Sequence, residues 1–226
     1  AFLPRSDRDG IGVAQASVWA DHVQRVLPGS LLGSAARATL LSSMGREADA
    51  KQLAEQQLST HSDSAHAWFV LGHVQRAGDP KAASESLRKA VELDPGYRIA
   101  QTELAEAELA AGRMRAAAEA SAGRDKMGPP SSWSERVAGV IAARLGDRAT
   151  AHNRLQSAVQ LEPKDVDARL ELGWHLVALG KVADAALHAR RVVETDRPAE
   201  DATEGQTADA KLLLAETLRR AGDAKG

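Results

Sequence analysis

The chain of 226 residues contains no cysteine, one tyrosine, two phenylalanines, four tryptophans and a single asparagine, Asn153. Without cysteine there is no disulfide frame, no thiol nucleophile and no thiolate metal site. Aromatic residues make up only 3% of the chain and β-branched residues are few, so little is available for a sheet-built core. Neither sign of charge dominates: 29 Lys and Arg face 31 Asp and Glu, for a formal charge of −2. No basic stripe is present to neutralise phosphates, which speaks against nucleic acid as a partner. No apolar run reaches the roughly 18 residues of a membrane span. What the chain has in abundance is alanine, the strongest helix former, at 45 positions. The composition predicts an all-α protein with one folded domain or two small ones.

A regular ruler runs along the sequence. Gly78, Gly112, Gly146 and Gly180 are spaced by 34 residues, and Gly45 stands 33 before the first of them. Five residues after each glycine comes an alanine: Ala50, Ala83, Ala117, Ala151 and Ala185. Pro95, Pro129 and Pro163 repeat at the same interval of 34. A fixed period of this length signals stacked copies of one supersecondary unit.

The text between the marks is helical. Residues 65–77, AHAWFVLGHVQRA, lead to the turn Gly78-Asp79-Pro80; KAASESLRKAVEL then runs to the stop Asp94-Pro95-Gly96. One unit is therefore helix, turn, helix, turn. The glycines suit the left-handed residue that ends each first helix, and the prolines mark the exit of each second helix. Ser132 with Glu135 is expected to form a capping box, and Ser64 and Asp165 are expected to cap other first helices.

These marks resemble the tetratricopeptide repeat, whose pattern is W-x2-L-G-x2-Y, A-x3-F, A, P over 34 residues. Trp68, Leu71, Gly72, Gly78, Ala83, Leu87, Ala90 and Pro95 match it in order, with one residue missing before Gly78. Gly139, Ala151, Leu155, Ala158 and Pro163 match it in the fourth repeat, and Leu172 and Gly173 in the fifth. The resemblance implies a right-handed superhelical solenoid of helical hairpins. It divides the chain into residues 1–30 with one unpaired helix over 12–27, five repeats over 31–198, and residues 199–226 as an acidic loop with a capping helix over 211–221. Small residues are required where paired helices cross, and the first helices supply Ala38, Gly72, Ala105, Gly139, Gly173 and Ala215. Gly123 interrupts the second helix of the third repeat at a cost of about 1 kcal/mol, which marks that layer as the weakest. Between Gly180 and Gly222 lie eight residues more than one repeat, and the excess falls in 197–207, read as an exposed loop.

A search for catalytic patterns finds no GxSxG, HExxH or GxxxxGK[ST] motif. His66 and His73 are seven residues apart on one helix, which separates them by roughly 10 Å at 1.5 Å rise per residue, too far for one metal ion. No enzyme activity, metal or cofactor is expected.

In proteins of the family that the chain resembles, repeat positions 2, 5, 9 and 12 of the first helices face a concave groove. Carried onto this chain, the resemblance points to His66, Phe69, His73 and Arg76; to Ile99, Thr102, Glu106 and Leu109; to Trp133, Arg136, Val140 and Ala143; and to Asp167, Leu170, Trp174 and Val177. Three of the few large aromatics, Phe69, Trp133 and Trp174, fall on that face. Aromatics and arginine dominate binding hot spots, so the groove is expected to hold an extended peptide or a helix of a partner protein. The alternative packing of these rings onto the neighbouring helix stays open. A carboxylate clamp of Lys and Asn is not expected, because no groove position holds either. Two other uses are open: a structural subunit working through its convex face and end helices, and the repeat region of an enzyme whose catalytic domain lies elsewhere. The opening Ala1-Phe2-Leu3-Pro4 and a composition rich in alanine and arginine lead us to expect a bacterial protein, periplasmic or membrane-attached on that side, with the cytoplasm as the alternative. Membrane association is expected only through a partner or a removed anchor.

Overall fold

The computed structural model describes residues 30–193 and 204–223, together with positions 18, 22, 25 and 26. Among them lie eleven α-helices and no strand. They are α1 (Leu31–Ser43), α2 (Glu47–Thr60), α3 (Ala65–Gln75), α4 (Pro80–Leu93), α5 (Arg98–Ala110), α6 (Met114–Asp125), α7 (Ser132–Arg144), α8 (Arg148–Leu161), α9 (Val166–Ala178), α10 (Val182–Val193) and α11 (Glu204–Asp223). The chain forms two compact units, Ala1–Gly128 and Pro129–Gly226. Unit 1 stacks the hairpins α1–α2, α3–α4 and α5–α6; unit 2 stacks α7–α8 and α9–α10 and ends with α11. The proposed N-terminal helix over 12–27 lies largely outside the described residues.

Four of the five glycine turns share one geometry. Gly45, Gly112, Gly146 and Gly180 have φ of 73°, 77°, 84° and 76°. The residue after each donates its N–H five residues back, from Arg46 to Leu41, Arg113 to Glu108, Asp147 to Ala142 and Lys181 to Leu176. A left-handed glycine followed by this bond closes the last helical turn and satisfies its free carbonyls. Gly78 departs from the expectation and has no positive φ. The shorter element of this repeat is the helix, which ends at Gln75 after 11 residues, and the N–H groups of Gly78 and Asp79 both close on the Gln75 carbonyl, at 3.2 and 2.8 Å, without a left-handed step.

Side chains start the helices as the pattern requires. Ser64 accepts from the N–H of Ala67 and Asp165 from that of Ala168, as expected; Asp79 and Asp147 do the same for α4 and α8. The capping box of α7 is displaced by one residue from the expected pair. Ser131 is the cap, and Ser131 and Ser134 each accept from the other's backbone N–H. The expected partners have other bonds: Ser132 Oγ donates to Asp165 Oδ2 at 2.6 Å, and Glu135 accepts from Arg154.

Ala50, Ala83, Ala117, Ala151 and Ala185 are all fully buried, because the two helices of each hairpin cross there. The facing positions conserve volume as pairs. A side chain on Gly72 would begin 2.6 Å from Leu87 Cγ, and one on Gly139 2.7 Å from Leu155 Cγ. Where the first helix has Ala38 or Ala105 instead of glycine, the second helix has Ala54 or Ser121 instead of leucine. Gly123 follows the same logic. The Gln101 amide, buried and donating to the Ala120 carbonyl at 3.1 Å, lies 2.5 Å from where a Gly123 side chain would start. The helix penalty of this glycine makes room for a polar group in the core.

Two expectations at the C-terminal end are corrected. Residues 204–207 are the first turn of α11, not loop, and Gln206 donates to Asp167 Oδ1 at 2.6 Å. Ala215 is exposed, not held at a crossing, because no second helix among the described residues packs on it.

Candidate functional site

In unit 1, α3 and α5 present the expected row, and its side chains bond to one another. His66 Nδ1 lies 2.8 Å from the Tyr97 hydroxyl, and the Phe69 ring packs on Tyr97 with centroids 5.0 Å apart. His73 Nδ1 lies 2.7 Å from Glu103 Oε1, and Arg76 donates to Glu106 Oε2 at 2.5 Å. Burial pushes the pKa of His66 down from its ordinary 6.5, which suits a neutral ring accepting from Tyr97. The Tyr97 hydroxyl is pushed up to about 12 by burial and by the charges of Glu103 and Asp94. Thr102 is buried and donates to the Arg98 carbonyl, so it offers nothing at the surface. Leu109 is half-buried. This row is a zipper between two helices, with its hydrogen-bonding capacity largely spent internally.

A second row shows how the hairpins hold together with Trp68 alone kept among the pattern's aromatics. The fourth position of successive first helices carries Trp68, Gln101, Glu135 and Arg169. Trp68 Nε1 donates to the Ser62 carbonyl at 2.9 Å, and Arg169 Nη2 donates to the Pro163 carbonyl, in each case six residues back. Glu135 accepts from Arg154 at 2.6 Å. At the eleventh position, where the pattern has tyrosine, Gln75 accepts from Ser86, and the buried Glu108 accepts from Arg88 and Arg113. Polar groups inserted into a core must be paired to avoid the full cost of desolvation. Each of these makes at least one such bond, and two of their atoms, Gln101 Oε1 and Arg169 Nη1, are left without a partner.

In unit 2 the arrangement differs. Trp133, Arg136 and Val140 of α7 are half-buried, and Val140 packs against the core around Leu155 and Leu176. Leu170 and Val177 belong to that core, at 6% and 3% exposure, so Leu170 is a packing residue and not a groove contact. Trp174 does both: its ring packs against the core and also lines an open hollow of about 410 Å³. Val177 and Ala178 of α9 and Leu212, Glu216 and Arg220 of α11 complete the lining. Leu212 is 60% exposed. Arg220 donates to the Val177 carbonyl at 3.1 Å and to Glu216 at 2.6 Å, which closes one rim. Hydrogen bonds from Arg219 and Arg220 hold the Glu216 carboxyl down to about 2. The hollow is an apolar floor with a neutralised, charged edge.

Tyr97, Leu212, Glu216 and Arg220 were not among the residues expected from the sequence. Tyr97 precedes its helix, outside the positions the pattern assigns to the groove. The α11 residues fall at the fifth, ninth and thirteenth places of a sixth first helix, counted back from Ala215. The eight extra residues before that helix broke the ruler and hid them.

Among the described residues, no group of three or more His, Asp or Glu converges as metal ligands, and no helix is long and apolar enough to cross a membrane. The sequence model of the tetratricopeptide repeat matches residues 73–124 and 137–202, more than half of the chain. No curated protein sequence matches it significantly. Several solved structures share the fold at low identity. One is a chain of the APC/C hetero-tetramer Cut9–Hcn1, at TM-score 0.78 and 16% identity; the match covers 93% of this chain and 40% of that one. PilW, described as a widely conserved type IV pilus biogenesis factor, has TM-score 0.71 and 17% identity, covering 85% of this chain and 86% of PilW. YrrB, described as having an unusual peptide-binding site, has TM-score 0.53 and 18% identity, covering 75% and 93%.

Proposed function

Because the chain belongs to the tetratricopeptide repeat family, we propose that it is a non-enzymatic scaffold that holds a segment of a partner protein, with the Trp174 hollow of unit 2 as its anchor point. The single observation behind this reading is the contrast between the two inner rows. The row in unit 1 is zipped to itself, whereas Trp174 and the exposed Leu212 leave an apolar hollow open to a side chain. An apolar floor with an Arg–Glu rim suits a large aliphatic or aromatic anchor residue flanked by polar ones. The peptide-binding YrrB has the same fold, which supports the mode of use.

A peptide-display selection against the full chain tests the proposal. Enriched peptides should share a bulky apolar residue and lose at least tenfold in affinity to a Trp174→Ala variant that melts like the wild type. Equal binding to that variant would sink the reading. The envelope setting, periplasmic or membrane-attached on that side, is part of the same proposal. It is supported by PilW, a pilus biogenesis factor of this fold, and is tested by fractionating source cells; recovery in the cytosol alone overturns it.

A second reading, a structural subunit of a larger complex, is favoured by the exposed leucines Leu93, Leu161 and Leu187 on second helices, at 40%, 50% and 58% exposure. Capture of a partner that survives Trp174→Ala but is lost with Leu161→Ser and Leu187→Ser would replace the first reading with this one.

A further inference from the structure

We propose that Arg169, with His188 and Arg191, forms a binding site for one oxyanion, a carboxylate or a phosphate, in the α9–α10 hairpin. The starting point is an asymmetry in how charge is buried. Glu103, Glu108 and Glu135 are all buried, and each meets an arginine or a histidine. Arg169 is the converse case. It is 8% exposed, its Nη2 donates to the Pro163 carbonyl, and its Nη1 is closed to water with no acceptor. A buried guanidinium needs an anion or a full set of acceptors, since desolvating a cation without compensation costs several kcal/mol.

The carboxylates that bear on this region do not bond it. Asp165 acts on Arg169 through its charge, which opposes the effect of Arg191, but it spends Oδ1 on the N–H of Ala168 and Oδ2 on the Ser132 hydroxyl, and Asp184 bears on His188 from its own helix. A second orphan lies on α10, within range of the Arg169 charge. His188 Nδ1 is buried and has no partner, and the His188 Cβ lies 3.7 Å from where a side chain on Gly173 would begin, one turn along α9 from Arg169. Arg191, three residues further along α10, has bonding of its own and lends the region its charge. The electrostatics agree with this geometry. Burial and the Arg191 charge push Arg169 below its ordinary pKa, and burial with the charges of Arg169 and Arg191 does the same to His188. An oxyanion has an oxygen for each orphan nitrogen, and its charge would oppose both shifts.

The site shares no residue with the Trp174 hollow, so it stands or falls independently of the proposed function. Its test is a titration of the full chain with sodium phosphate and, separately, sodium acetate, at ionic strength held constant with sodium chloride. The readouts are the melting midpoint and the His188 ring protons by NMR. Saturable stabilisation, with an upward shift of the His188 titration, is expected in wild type and in Trp174→Ala. Arg169→Met should abolish both effects, and His188→Gln should weaken binding several-fold. If Arg169→Met does not fold, His188→Gln and Arg191→Gln decide. Tighter binding of phosphate identifies a phosphoryl ligand, and tighter binding of acetate identifies an acidic side chain; either supports the site. The proposal is overturned by a wild type that responds to the anions no more than to chloride, or by variants that respond like wild type.

Discussion

Leu213 of α11 occupies the space above Gly173 of α9, a place that the hairpin's own second helix leaves empty because it has only Ala189 there. In the second and fourth repeats the same gap is filled from within the hairpin by Leu87 and Leu155. The fifth hairpin is thus completed by the helix that follows it, and Leu213 is fully buried as a result. Leu213→Ala is expected to destabilise unit 2 by about 2–5 kcal/mol, with α11 losing amide-exchange protection before α9. Uniform loss of protection across both helices would contradict this keyed arrangement.

The crossing at Ala151 is closed on all sides. Ala151→Leu should overpack the α7–α8 hairpin and cost about 1–3 kcal/mol, read as a lower urea midpoint. An unchanged midpoint would place the crossing elsewhere.

Glu108 is 1% exposed between Arg88 and Arg113, whose side chains are 51% and 36% exposed. The two sides of this cluster are therefore unequal. Removing both arginines strands a buried carboxylate, which costs on the order of 3–5 kcal/mol. Removing the carboxylate leaves arginines that can turn to water, so Glu108→Leu should cost less, about 1–3 kcal/mol. Urea unfolding of Glu108→Leu beside the Arg88→Ala/Arg113→Ala pair gives the order, and the reverse order would refute the assignment.

Phe69 and Trp174 should separate in a mutational experiment. Phe69 is held against Tyr97, so Phe69→Ala is expected to lower stability and leave peptide binding at the Trp174 hollow unchanged. Trp174→Ala should do the opposite, with most of its effect on binding.

Four groups contribute to the pH dependence on its neutral and alkaline sides. His66, His175 and His188 are all held below 6.5, first of all by burial. As pH falls below about 6.5 the unfolded chain takes up protons that the folded chain refuses, so stability declines on the acid side. Tyr97 works at the other extreme. Its folded pKa of about 12 exceeds the ordinary 10, so its contribution is intact below pH 10 and is lost between 10 and 12 as the unfolded chain ionises first. Thermal melts across pH 5–8 should decline less steeply on the acid side in His66→Gln, which keeps His175 and His188, and a Tyr97→Phe chain should lose its share of the alkaline decline.

The period of 34, the alanine column and the glycine turns were legible in the sequence because each is a local steric demand that recurs at fixed spacing. Helix number, hairpin pairing and the buried alanines follow from them without further information. Long-range pairing was not legible. That Phe69 meets Tyr97, that Gln101 requires Gly123, and that Arg154 rather than a cap takes Glu135 depends on which residues of different helices reach each other. The pattern names a face for each residue but does not say whether that face is open or spent on a neighbour. The sequence by itself determined a tetratricopeptide repeat architecture, since small residues and turn glycines at a fixed period permit one kind of packing. Only the tertiary structure decided that the inner row of unit 1 is zipped while the hollow at Trp174 is open, because that depends on the volumes and hydrogen-bond partners that neighbouring helices bring to each position.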